Sequence, residues 1–298
     1  MAGRTELHGI FPPIPTPFGE SGEIDFHRLE SNLARWDSEP LDGYVVGGSN
    51  GEFISLSTEE RVELVRFVSQ HAQADRVVIA GTGMPSTRAT IELGSQMSEA
   101  GAAAFLVVAP SYYQSKMGNE ALLDFYRTVA DASPLPVLIY NVPAFTGIDM
   151  EVETICALSR HARIVGIKDS SGRVDKVGAI VQGTPADFVV LAGSGGFFLG
   201  ALAMGAVGLV AALANFAASQ LRQVLDAFER GDVAAAREIQ LPLIQVNKAV
   251  TARFGVAGLK SAMDLLGYYG GPVRAPLLDL GEEQRVEVER LLRAAELL

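Results

Sequence analysis

Residues 188–221 read Phe188-Val-Val-Leu-Ala-Gly-Ser-Gly-Gly-Phe-Phe-Leu-Gly-Ala-Leu-Ala-Met-Gly-Ala-Val-Gly-Leu-Val-Ala-Ala-Leu-Ala-Asn-Phe-Ala-Ala-Ser-Gln-Leu221, without one charged side chain. A run of that length is long enough to cross a bilayer. Its punctuation argues otherwise: Gly193, Gly195 and Gly196 break it near the start, and Gly205, Gly208 and Asn215 interrupt the rest. The pattern reads as a buried strand, a glycine turn, a helix and a second buried strand, because strands covered on both faces lose their polar alternation.

Outward from this stretch the same unit recurs. Short aliphatic or β-branched runs at 10–15, 43–46, 77–80, 104–108, 137–140 and 164–168 precede the two at 188–192 and 207–211, and each is followed by a Gly, Pro or polar turn. Amphipathic segments lie between them at 58–71, 87–100, 119–132 and 150–159; in the first, Thr58 and Glu60 open a helix whose Val62, Leu64, Val65 and Val68 share much of one face. Eight alternations predict a (β/α)8 TIM barrel, since eight parallel strands close without an edge. No GxGxxG follows the first strand, which weighs against a dinucleotide-binding sheet. After the eighth run the pattern is wholly helical, with candidates at 217–230, 232–252, 259–266 and 282–297. The expected organisation is a barrel over 1–215 and a C-terminal helical extension over 216–298 packed on it.

Bulk properties narrow the function. The 298 residues fit one α/β barrel, and a composition 48% apolar and 20% charged is that of a globular chain. A net charge of -11, with no basic cluster, opposes binding to nucleic acid or anionic membranes. Cys156 is the only cysteine, which excludes an internal disulfide, and it reads as a small apolar helix residue. The four histidines, His8, His27, His71 and His161, show no metal-ligand spacing. The N-terminal MAGRTELHGI carries Glu6 and no apolar core, so a cytoplasmic protein is expected.

In a barrel of this kind the chemistry sits at the C-terminal ends of the strands. Lys168 closes the apolar run Ile164-Val-Gly-Ile167, so its amine should point into the mouth, where burial favours the neutral form. A neutral lysine condenses with a ketone, and the resulting iminium stabilises a neighbouring carbanion. The competing role for Lys168 is an ion pair at the barrel rim. Tyr140 holds the equivalent place one strand earlier and is suited to proton transfer, unless its ring merely packs and its hydroxyl meets water. The turn Gly47-Gly-Ser-Asn-Gly51 offers backbone amides to a carboxylate; Gly193-Ser-Gly-Gly196 could cradle a phosphate before a helix, but no Lys or Arg follows it until Arg222, which favours a backbone contact to substrate or only a tight turn.

Together these motifs resemble the pyruvate-dependent aldolase family that includes dihydrodipicolinate synthase and N-acetylneuraminate lyase. Gly48-x-x-Gly51-Glu52 is similar to its first signature, and Tyr140-Asn-x-Pro143-x-x-Thr146-Gly147 followed by Gly166-Ile-Lys168-Asp is similar to its second. The resemblance implies a Schiff base on Lys168, a proton relay of Tyr140, Ser49 and a Tyr113 that crosses a dimer interface, and a pyruvate carboxylate held by the amides of Ser49 and Asn50. It also implies substrate contacts at Ser170, Gly193, Phe145 and Val210, no cofactor beyond the lysine imine, and a homotetramer built from dimers.

Within the family, Gly48-Ser-Asn-Gly-Glu-Phe53, Lys168-Asp-Ser-Ser-Gly172, Leu191-Ala-Gly-Ser194, Arg253-Phe-Gly-Val-Ala-Gly-Leu-Lys260 and Gly267-Tyr-Tyr-Gly-Gly-Pro-Val-Arg-Ala-Pro276 resemble the branch that cleaves 4-hydroxy-2-oxoglutarate to pyruvate and glyoxylate. Phe145 stands where the synthase branch has an arginine for its second substrate. The 4-hydroxy-2-oxoglutarate branch has asparagine there and serine at the Asn141 position, so a more apolar aldehyde pocket is expected here. The alternatives are a sugar-acid aldolase or dehydratase, a dihydrodipicolinate synthase, and a barrel that senses a 2-oxo acid without turning it over.

Overall fold

The computed structural model describes residues 7–298. The six residues before Leu7, including the Glu6 used to argue against a targeting segment, lie outside the described residues.

Eight strands form the frame: β1 (Gly9–Phe11), β2 (Gly43–Val46), β3 (Val77–Gly81), β4 (Ala104–Val108), β5 (Val137–Asn141), β6 (Ile164–Asp169), β7 (Val189–Ala192) and β8 (Gly208–Val210). All named pairs are parallel, in the order β1-β8-β7-β6-β5-β4-β3-β2. The cylinder closes between β1 and β2, where Pro13 bridges Val45, the Val45 amide donates to Pro12 O at 2.9 Å and the Ile14 amide donates to Val45 O at 3.0 Å. The fold is the TIM barrel that the eight runs predict. Within the charge-free stretch, β7 and β8 flank a 3-10 turn (Gly195–Phe197) and a short helix, and no helix among the described residues is long and apolar enough to cross a membrane.

The helices between strands are α1 (Phe26–Trp36), α2 (Thr58–His71), α3 (Thr87–Glu99), α4 (Asn119–Ala132), α5 (Pro143–Thr146), α6 (Val152–Leu158), α7 (Val174–Gly183) and α8 (Phe198–Ala203). Neither α1 nor α7 stands out in the sequence. The buried face of α1 is only Leu29, Asn32, Leu33 and Trp36, and that of α7 only Lys176, Val177 and Ile180, each with a polar residue inside it. After β8 come α9 (Ala218–Glu229), α10 (Val233–Lys248), α11 (Gly255–Leu265) and α12 (Glu282–Ala294). The single helix expected over 232–252 is instead α10 followed by a π turn (Ala249–Arg253), and α11 begins four residues before the expected 259.

Strand alternation separates two cores. Val137 and Ile139 face the helices, whereas Leu138 and Tyr140 face the axis with Phe11, Val45, Leu191 and Val210. The interior is filled below the mouth. A Cβ at Gly166 would lie 2.4 Å from Val189 O and 2.8 Å from the Leu138 side chain, so the strand that carries Lys168 reaches the mouth past a position only glycine fits.

Candidate active site

The parallel register sets Tyr140 of β5 directly beside Lys168 of β6. Both are buried, at 5% and 4% exposure, and the Lys168 Nζ lies 4.1 Å from the centroid of the Tyr140 ring. The rim ion pair considered for Lys168 is not what the structure has: among the described residues no carboxylate pairs with it. The Tyr140 hydroxyl does not face water alone either, since it lies 3.2 Å from Ser49 Oγ, where either oxygen can donate. An unpaired amine, a phenol and a serine hydroxyl are thus adjacent in one shielded place, the arrangement required for imine formation with relayed protons.

Ser49 opens a 3-10 turn (Ser49–Gly51) immediately after β2. The turn's own hydrogen bonds run from the Gly51 amide to Gly48 O and from the Glu52 amide to Ser49 O, which leaves the amides of Ser49 and Asn50 without a protein acceptor among the described residues. Two adjacent free N–H groups form a concavity that suits a carboxylate. On the far side of Lys168, the Ser170 Oγ is buried and unpartnered, and it lies 1.9 Å from where a Cβ of Gly193 would stand. Glycine at 193 therefore makes room for that hydroxyl. The Gly193 amide is already committed, donating to Asp169 O at 2.7 Å.

The remaining candidates differ in setting. Val210 is fully buried in the barrel interior, in one cluster with Tyr140. Phe145, on α5, is 68% exposed. Tyr113 is 71% exposed and packs edge-on against Tyr112 at 5.1 Å, with no hydrogen bond to Tyr140 or Ser49 within the described residues. A small cavity against Tyr140 is walled by Gly47, Gly48, Phe53, Arg61, Leu106 and Val108. A wider cleft of about 370 Å³ near α10 and α12, lined by Lys248, Arg253, Glu287 and Arg290, shares no residue with the mouth.

Asn141 is not a pocket residue, contrary to the inference drawn from its position. At 1% exposure, it donates to Asp169 Oδ1 at 2.7 Å and to Asp149 Oδ1 at 2.9 Å and accepts from the Met150 amide at 3.1 Å. Alternation turns it away from the axis, so it ties together the ends of β5 and β6 from outside. Asp169 is completed by Ser171, whose hydroxyl donates at 2.5 Å, and Asp149 by the buried Lys176. Burial pushes the Asp149 carboxyl up, but hydrogen bonds from Lys176 and Asn141 outweigh it and hold it below the ordinary value. Sequence signatures gave no hint of Asp149, Lys176 or Arg61. The last is buried without an acid among the described residues, donates to Gly81 O at 2.8 Å, and has its pKa lowered by burial to about 10.

Comparison with known proteins matches residues 6–295 to the dihydrodipicolinate synthetase family. A 4-hydroxy-tetrahydrodipicolinate synthase from Oceanobacillus iheyensis is 35% identical over 95% of this chain and 95% of its own. A probable mitochondrial 4-hydroxy-2-oxoglutarate aldolase from Emericella nidulans is 36% identical over 95% of this chain and 93% of its own. Among solved structures, a prophage protein of the dihydrodipicolinic acid synthase family from E. coli K12, in complex with pyruvate, superposes with a TM-score of 0.92 at 30% identity, covering 98% of this chain and 100% of that one.

Proposed function

The chain belongs to the dihydrodipicolinate synthetase family and is a class I aldolase of that family, and from this premise we propose that it acts on pyruvate through an imine at Lys168. The observation that carries the proposal is the buried Lys168 amine, free of any acid among the described residues, against the ring of Tyr140. The amine attacks the keto carbon, and the carbinolamine loses water as Tyr140 and Ser49 relay protons. Loss of a methyl proton gives the enamine, whose carbon attacks an aldehyde; hydrolysis then returns Lys168 and releases the product. In the reverse direction Tyr140 takes the proton of the C4 hydroxyl, the C3–C4 bond breaks, and an aldehyde leaves the pyruvate enamine. The free amides of Ser49 and Asn50 hold the carboxylate, with Ser170, Gly193 and Val210 completing the pocket.

For the second substrate, the names of the relatives support condensation as a 4-hydroxy-tetrahydrodipicolinate synthase better than the cleavage expected from the sequence. One observation favours cleavage of 4-hydroxy-2-oxoglutarate: the exposed side chain at the synthase arginine position is Phe145, which offers no charge to a second carboxylate. The catalytic unit is the barrel over 1–215 with the extension over 216–298, and the exposed Tyr113 serves a neighbouring subunit in a tetramer of paired dimers.

Borohydride reduction in the presence of pyruvate should add one reduced pyruvate to the peptide containing Lys168; an unmodified peptide would end the imine proposal. Condensation with aspartate semialdehyde and pyruvate release from 4-hydroxy-2-oxoglutarate, compared by kcat/KM, decide between the two chemistries. Phe145→Arg should leave trapping intact, because that side chain serves only the second substrate.

A further inference from the structure

The turn offered to the substrate carboxylate is held from behind by the C-terminal helices. Its closing residue, Glu52, has φ 56° and ψ 33°, the left-handed region where a side chain is unfavourable and glycine is the usual solution. Glu52 nevertheless keeps a side chain, and that side chain is fully buried. Its Oε1 lies 2.6 Å from Nζ of Lys260 on α11, and its Oε2 accepts from the Arg274 amide at 2.8 Å. Lys260 is 1% exposed, donates to Pro272 O at 2.7 Å and sits 4.4 Å from the centroid of Phe18. The guanidinium of Arg274 grips Glu60 at 2.7 and 2.8 Å and donates to Ser55 O at 2.9 Å, so the chain just beyond the turn is tied as well. On the other side Thr16 donates to Gly51 O at 2.7 Å.

A buried ion pair is a poor way to stabilise a fold, because removing both charges from water offsets most of their attraction, and apolar residues of like size often do as well. Pairing one with a strained residue points to placement rather than stability. We propose that Glu52 and Lys260 are positioning residues. Through them the C-terminal helices fix the direction of the Ser49 and Asn50 amides that receive the carboxylate. The inference rests on the imine proposal above and deepens it.

The test removes both charges at once, so that neither is left buried alone. In Glu52→Gly/Lys260→Met, glycine relieves the left-handed backbone and the anchor is lost. The melting temperature and circular dichroism should stay near those of the parent, KM for pyruvate should rise about tenfold or more, and kcat should change by less than about threefold, the signature of weakened ground-state binding. Borohydride trapping at saturating pyruvate should still label Lys168. Glu52→Gln/Lys260→Met retains an acceptor for the Arg274 amide and should show a KM between the two. A folded variant with parental KM overturns the inference, as does loss of the fold in both variants, which would make the pair structural. If the parent itself fails to trap pyruvate at Lys168, the imine proposal fails instead.

Discussion

Two lysines of this protein share nearly everything except a counter-ion. Lys168 and Lys260 are 4% and 1% exposed, and each side-chain nitrogen lies close to an aromatic ring, 4.1 Å from Tyr140 and 4.4 Å from Phe18. Lys260 has a carboxylate at 2.6 Å and Lys168 has none among the described residues. Burial lowers the Lys260 pKa even against the attraction of Glu52. A buried cation with a partner is fixed in place, and its removal leaves the partner's charge stranded. A buried amine with no partner has nothing to lose but its chemistry.

The sharpest way to break the comparison is to replace each lysine by methionine, which keeps the apolar stem. Lys168→Met should lower kcat/KM by about 10⁴-fold or more, as loss of a covalent nucleophile does, while thermal stability holds or rises slightly. Lys260→Met should do the reverse in kind. It leaves Glu52 buried and uncompensated, a loss of about 3–5 kcal/mol measurable as a fall in the urea midpoint. Equal destabilisation by the two substitutions would show that the missing counter-ion at Lys168 has no meaning.

A smaller effect sharpens the same contrast by making the surroundings of the two lysines alike. Tyr140→Phe leaves Lys168 over a plain phenyl ring, as Lys260 is over Phe18, and removes only the hydroxyl that meets Ser49. It should reduce kcat about 10²- to 10³-fold, with pyruvate trapping slowed but still directed to Lys168. An unchanged kcat would leave the proton relay without its central member.

The difference between the lysines also marks how far the sequence can be read. Lys168 is legible because it closes an aliphatic run whose alternation and position fix where its side chain goes. Tyr140 is legible for the same reason one strand earlier, and strands β2, β4 and β7 fall within a residue of where their runs predict. Lys260 is not legible as Glu52's partner, since a contact between distant helix and turn residues has no period to betray it. The Asn141 network escapes likewise: its side chains come from β5, β6, α7 and the loops after β6 and α5, and Asn141 taken alone suggests a pocket residue. Phe145 and Tyr113 are placed by resemblance alone, and both are exposed, with no contact to Lys168, Tyr140 or Ser49 within the described residues that could have marked them.

A more exposed link between extension and barrel, the pair of Arg274 and Glu60, gives the smallest effect and tests whether charge matters at the surface as it does inside. Glu60 receives two of the guanidinium hydrogen bonds of Arg274, which lower its pKa below the ordinary 4.5 despite some burial. A carboxyl depressed in the folded state contributes stability above its unfolded value and loses it as pH falls through the folded one. Glu60→Gln preserves the capping box with Ser57, because glutamine also serves at that position, so it removes the charge and one of the two acceptors for Arg274, as protonation of the carboxyl does. The pair is partly solvated, and screening reduces its contribution to about 0.5–1 kcal/mol at pH 7. Urea titrations should show that deficit at neutral pH and its disappearance as pH drops below 4.5. A deficit that persists in acid would mean that Arg274 is held by geometry rather than charge, and that the surface link behaves unlike the buried pair of Glu52 and Lys260.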